Sequence, residues 1–148
     1  MSFLSLTIMT VCHIITKNYY GDIMDTKKIV IAGCRDYNNY EEAESYIDFC
    51  IKNIKKEYNL VFVSGGCSGA DKLGERYATE HGYKIEVYPA EWKKYGPQAG
   101  PIRNMKMAKI SDFVICFWDG ESNGTRSMIN CAKKLNKPIK IKFITKNT

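Results

Sequence analysis

The sequence predicts a three-layer α/β/α fold built on a five-stranded parallel sheet in the order 3-2-1-4-5. Three observations carry that expectation. Short apolar runs alternate with segments of helical period along the chain, the pattern of a parallel sheet with helices on both faces. Three runs, IVIAG, LVFV and FVICF, are continuously apolar, as strands buried on both faces should be. The other two carry charge, Glu86 between Ile85 and Val87, and the lysines of IKIKF, which marks them as edges. Right-handed crossovers then favour the stated order.

Each element follows in turn. Lys27–Gly33, KKIVIAG, is a β-branched run ending in glycine. YEEAESYIDFCIKNIKKEY sets Ala43, Tyr46, Ile47, Phe49, Cys50, Ile51 and Ile54 at near-helical spacing. NLVFVSGG is the second strand. GADKLGERYATEHG puts Ala70, Leu73, Tyr77 and Ala78 on one helix face and stops at Gly82, with His81 complementing the helix terminus. KIEVYPA is the third strand. A polar loop with Gly96, Pro97, Gly100 and Pro101 leads to the helical IRNMKMAKI. DFVICFWDG, GTRSMINCAKKLNK and PIKIKFI supply the fourth strand, the last helix and the fifth strand.

The 148 residues suffice for one domain with a real core, and 45% hydrophobic with 26% charged residues fits a soluble protein. No apolar run reaches membrane-spanning length, so no membrane partner is expected. The six cysteines form no CxxC pair and no histidine sits at ligand spacing, so neither a metal site nor a cofactor is expected. Cys116 and Cys131 read as reduced core thiols of a cytoplasmic protein. The net charge of +6 comes from scattered lysines rather than a basic stripe, which speaks against nucleic acid. Residues 1–26 read as an N-terminal arm outside the domain at 27–148. FLSLTIMTVCHII lacks a basic n-region and a cleavage site, and Met24 is a candidate start.

The predicted sheet reverses direction between strands one and four, and ligands of open α/β sheets lie in that crevice. Three polar, glycine-rich loops converge there. Gly33, Arg35 and Asp36 follow strand one. Gly65, Gly66, Ser68, Gly69 and Asp71 follow strand two. Asp119, Gly120, Glu121, Ser122, Gly124 and Thr125 follow strand four, with Arg103 and Asn104 on the helix before it. Glycines let backbone amides approach a phosphate, and a helix start adds free N–H groups and positive potential. Arg35 or Arg103 can add charge-assisted bonds. The glycines can equally serve tight turns. Neither loop matches a dinucleotide fingerprint or a Walker A motif. Asp71 can cap a turn or bond a ribose hydroxyl. Trp92 and Tyr95 can cover a base or pack over the crevice.

The segments GCRDY, VSGGCSGADKLGERYA, YPAEWKKYGPQAGPIRNMKM, FWDGESNGTRSMINCAKK and KPIKI together resemble the YspA/YpsA-related branch of the SLOG superfamily, from about Lys27 to Ile144. The resemblance implies a Rossmann-like domain that binds nucleotides or ligands derived from them. The superfamily includes the Lonely Guy phosphoribohydrolases and the DNA-processing protein DprA. In the Lonely Guy pattern an arginine and a PGGxGTxxE loop hydrolyse the N-glycosidic bond of a nucleoside monophosphate. Arg103 resembles that arginine, and Gly124 and Thr125 resemble that loop, but the glutamate position falls on Ser127, followed by Met128. The resemblance therefore leaves Asp119 or Glu121 as substitute carboxylates beside Arg103 in a catalytic reading. The expected role is binding of a nucleotide-derived small molecule. Hydrolysis of an N-glycosidic bond is the alternative, DNA binding is a more distant one, and a homo-oligomer is compatible with the sequence.

Overall fold

The computed structural model describes residues 24–145. The expected arm lies outside them over residues 1–23, Cys12 and His13 included. Of its last three residues, Met24 and Asp25 lead up to the sheet and Thr26 opens it. The Asn59 side chain donates to the Met24 carbonyl, the Asn59 amide donates to the Asp25 carbonyl, and the first strand starts at Thr26.

In chain order the elements are β1 (Thr26–Gly33), α1 (Tyr40–Ile51), α2 (Ile54–Glu57), β2 (Asn59–Ser64), α3 (Ala70–Glu80) and β3 (Lys84–Val87). Then come α4 (Trp92–Tyr95), a 3-10 turn (Gly96–Gln98), α5 (Ala99–Ile110), β4 (Phe113–Trp118), α6 (Asn123–Lys134) and β5 (Ile139–Phe143). The strands form one parallel sheet in the order β3-β2-β1-β4-β5, as the charge pattern of the edges predicts.

Period-two alternation splits the core into two layers. Ile29 and Ile31 of β1 face α1 and α3 together with Phe62, Ile115 and Phe117. Val30 and Ala32 face α5 and α6 together with Val63, Val114 and Cys116. Both helix faces are the ones their spacing implies: Ala43, Ile47 and Ile51 are buried on α1, and Ala70, Tyr77 and Ala78 on α3. Cys116 and Cys131 are buried in the second layer, and burial pushes the Cys116 thiol up to about 12. At the β3 edge, Glu86 reaches across β2 to the Lys28 ammonium at 2.9 Å.

Two expectations are corrected. The long helix after β1 breaks at Lys52–Asn53 into α1 and α2, and Phe49 is 60% exposed rather than core-facing. Phe49 falls between Ile47 and Ile51, off the i, i+4 stripe that packs on the sheet, with the Lys52 ammonium 5.0 Å from its ring centroid. The helix at IRNMKMAKI begins three residues earlier, at Ala99, because Pro101 sits in the first turn, where a missing N–H costs nothing.

Candidate functional site

β1 and β4 run side by side and their following loops diverge to opposite faces, which opens a cavity at their carboxyl ends. Its volume is about 490 Å³, within the range of small-molecule sites. The loop after β1 supplies Gly33, Arg35 and Asp36 to its wall, and the first turn of α3 supplies Asp71. Arg103 and Asn104 come from α5, and Asp119, Ser122, Gly124 and Thr125 from the segment entering α6. The other six residues expected there, Gly65, Gly66, Ser68, Gly69, Gly120 and Glu121, are not among the lining residues.

The loop after β2 shows why. Its glycines make room for protein. A Cβ on Gly65 would lie 2.6 Å from the Arg103 guanidinium, and one on Gly69 would lie 2.3 Å from the Cys34 carbonyl oxygen. Gly69 and Gly66 also adopt φ of +77° and +74°, conformations that L side chains rarely take. Three amides at this loop are also spent inside the protein. Gly66 N donates to Ser64 Oγ, Cys67 N to Asp71 Oδ2, and Ala70 N to the Cys34 carbonyl. Ser68 Oγ donates to the Arg35 carbonyl at 3.1 Å, tying the first two loops together.

The segment entering α6 is different. Asp119 Oδ1 accepts from the amides of Glu121 and Ser122, at 2.9 and 2.8 Å, and so shapes the turn. Gly120 follows with φ +83°. The next three amides, Asn123, Gly124 and Thr125, open the helix, and among the described residues nothing accepts from them. A Cβ on Gly124 would meet nothing within 4 Å. Thr125 is buried, with its hydroxyl 3.2 Å from Ser122 Oγ and 4.0 Å from Cys34 Sγ. Glu121 is exposed beside this turn.

Asp71 is the buried charge of the site, 5% exposed in the first turn of α3. Burial raises its carboxyl to about 6, against the opposing pull of the Cys67 N–H and of Arg103. Oδ2 holds the Cys67 amide at 3.1 Å. Asp71 lines the cavity, and among the described residues its Oδ1 makes no hydrogen bond. Arg103 braces the same corner. Its Nη1 donates to the Gly65 carbonyl at 2.7 Å and the Tyr88 carbonyl at 3.4 Å, and its Nε to Asn104 Oδ1. Asn104 in turn donates to Ser127 Oγ at 3.2 Å, at the position where the Lonely Guy pattern has its glutamate.

Cys34 and Cys67 also line the cavity, beyond the residues expected from sequence. Their neighbours Gly33, Arg35, Gly66 and Ser68 drew attention, while the thiols themselves carried no distinguishing spacing. Burial pushes the Cys34 thiol up.

The family described as YspA, cpYpsA-related SLOG matches residues 27–95. The Gene 61 protein of Mycobacterium phage D29 is 34% identical over 91 residues, spanning 57% of this chain and 73% of that protein. The chain belongs to the YspA, cpYpsA-related SLOG family. Two solved structures share the fold of this SLOG domain. The protein designated TM1055 is 18% identical with a TM-score of 0.55, covering 78% of this chain and 72% of its own. DNA processing protein A from Helicobacter pylori, described for a unique single-stranded DNA binding mode, is 22% identical with a TM-score of 0.55. That likeness covers 78% of this chain and 64% of the other, so the SLOG domain spans about two thirds of that protein. It leaves the expectation against nucleic acid without support. No helix among the described residues is long and apolar enough to cross a membrane.

Proposed function

We propose that the cavity binds a nucleotide or a ligand derived from one, with its anionic group at the start of α6. The observation that carries this reading is the set of three unpaired amides at Asn123, Gly124 and Thr125, opening a helix beside an empty space. A helix N-terminus of this kind favours an anion through its N–H groups and its dipole. Ser122 and the exposed Arg35 also line the cavity. The Asp71 carboxyl, which lines the cavity, is an acceptor of the kind a sugar hydroxyl needs. Isothermal titration against nucleoside monophosphates, ADP-ribose and NAD tests the reading. Binding of at least one of them tighter than about 1 mM, roughly −4 kcal/mol, is the expected result. Heat-silent mixing with all of them contradicts it.

One observation favours a second reading, hydrolysis of an N-glycosidic bond: a carboxyl raised to about 6 inside the cavity suits a general acid. In that reaction water adds at the anomeric carbon, the bond to the base breaks, and the departing base takes a proton. Asp71 fits the proton donor better than the carboxylates first expected. Asp119 spends Oδ1 on the turn, and Glu121 lies outside the cavity. Chromatography for freed base after incubation with nucleoside monophosphates decides it. Release by the parent that persists in Asp71→Asn sinks the assignment of Asp71. No release by the parent sinks hydrolysis and leaves binding intact.

A further inference from the structure

The wall of the cavity formed by α4 and α5 carries a different chemistry from the start of α6. Trp92 lines it while 50% exposed, unusually open for the largest side chain in the protein. Gly100 explains how the indole is held. Gly100 is buried in the first turn of α5 and is not one of the positive-φ glycines, so its backbone does not require glycine. A Cβ there would meet Trp92 Cη2 at 3.3 Å and Cζ2 at 3.9 Å, and no other atom within 4 Å. Glycine is disfavoured inside helices. At this position it gives the six-membered ring of Trp92 a seat on α5, and the side chain as a whole stays half exposed. Pro101 and Met107 also line the cavity. Tyr95, by contrast, lies outside the cavity with the Lys94 ammonium 4.9 Å from its ring centroid.

One cavity thus holds unpaired amides from α6 and a seated, half-open aromatic plane from α4. We propose that Trp92 is the platform on which a planar ring of the ligand stacks, so that the site prefers a phosphate-bearing ligand with a nucleobase over the same sugar phosphate without one. This rests on the nucleotide reading above and adds to it which part of the ligand confers selectivity. Stacking on an aromatic side chain tolerates any base, because every base has a π-face.

The test compares AMP, CMP and ribose 5-phosphate by isothermal titration on the full chain and on Trp92→Ala and Trp92→Phe. The parent should bind both nucleotides at least tenfold tighter than ribose 5-phosphate. Trp92→Ala should weaken both nucleotides by about tenfold to a hundredfold and leave ribose 5-phosphate within twofold. Trp92→Phe should recover most of the nucleotide affinity, which a loss of fold would not allow. Equal weakening of all three ligands, or no weakening, overturns the platform while leaving the phosphate reading standing. A parent that binds ribose 5-phosphate as tightly as AMP overturns it too. A parent that binds none of the three overturns the platform, and silence toward ADP-ribose and NAD as well overturns the nucleotide reading with it.

Discussion

The loop after β2 and the segment entering α6 have similar compositions: each mixes glycine and serine with an aspartate between a buried strand and a helix. Their interiors differ. Around Gly65 and Gly69 the missing side-chain volume is taken by the Arg103 guanidinium and by the backbone of Cys34 and Arg35. Around Gly124 it is taken by nothing among the described residues. Each aspartate repeats the contrast. Asp71 is buried and lines the cavity, while Asp119 gives an oxygen to two amides of its own turn. A glycine that admits protein and one that admits ligand are alike in composition. What a Cβ would meet tells them apart.

The largest effect separating the two belongs to Gly69→Ala. The new Cβ would sit 2.3 to 2.5 Å from backbone atoms of Cys34 and Arg35, at φ +77°. Backbone cannot yield as a side chain can, so a loss of about 3 kcal/mol or more is expected in denaturant unfolding. A loss under about 1 kcal/mol would show that the two loops do not pack as described.

Asp71→Asn should have the next largest effect, and its sign depends on pH. The carboxyl titrates at 3.8 when unexceptional and at about 6 in the fold, because burial disfavours the charge. Below about pH 4 it is protonated in both states and folding loses nothing. Between about pH 4 and 6 the unfolded chain ionises while the buried carboxyl keeps its proton, so stability falls, and above 6 the loss levels off. Asparagine removes that loss and can still accept the Cys67 N–H. The variant should therefore gain on the parent between pH 4 and 7, by on the order of 2–3 kcal/mol, and the gain should level off above that range. Parallel melts across pH measure it, and a gain that does not change with pH would place the titration elsewhere.

Gly124→Val should leave stability within about 1 kcal/mol, since its side chain enters open space on an exposed helix turn. It should weaken nucleotide binding at least tenfold, the scale of one or two charge-assisted bonds lost together. The reverse pattern, a lower melting point with affinity kept, would make Gly124 architectural like Gly69. The smallest effect belongs to Glu121→Gln. This exposed residue stands beside the turn and outside the cavity, so affinity should stay within twofold and stability within about 0.5 kcal/mol. A tenfold loss of affinity would return Glu121 to the site.

The sheet order was readable because charge had to be placed somewhere: Glu86 and the lysines of IKIKF could not lie in the middle of a two-sided sheet. The switch between β1 and β4, and with it the location of the cavity, followed from that order. The break after Ile51 and the exposure of Phe49 were not readable. Both depend on how far α1 runs before the sheet surface ends, and periodicity carries no such length. The partners of the loop after β2 were equally hidden. Arg103 fills the space at Gly65 from 38 residues away, a contact that local pattern cannot register. Trp92 was visible as a candidate cover for a base, but the reason for Gly100 emerges only when the two are seen in contact.

The most direct test of the contrast between the two loops follows backbone amides by ¹H–¹⁵N NMR while AMP is titrated into the full-length chain. The amides of Asn123, Gly124 and Thr125 should shift progressively and saturate together, while those of Gly66 and Cys67, bonded to Ser64 and Asp71, should move far less. Larger saturating shifts at Gly66 and Cys67 than at Gly124 and Thr125 would put the anion in the loop after β2 and contradict the assignment of the site to the start of α6.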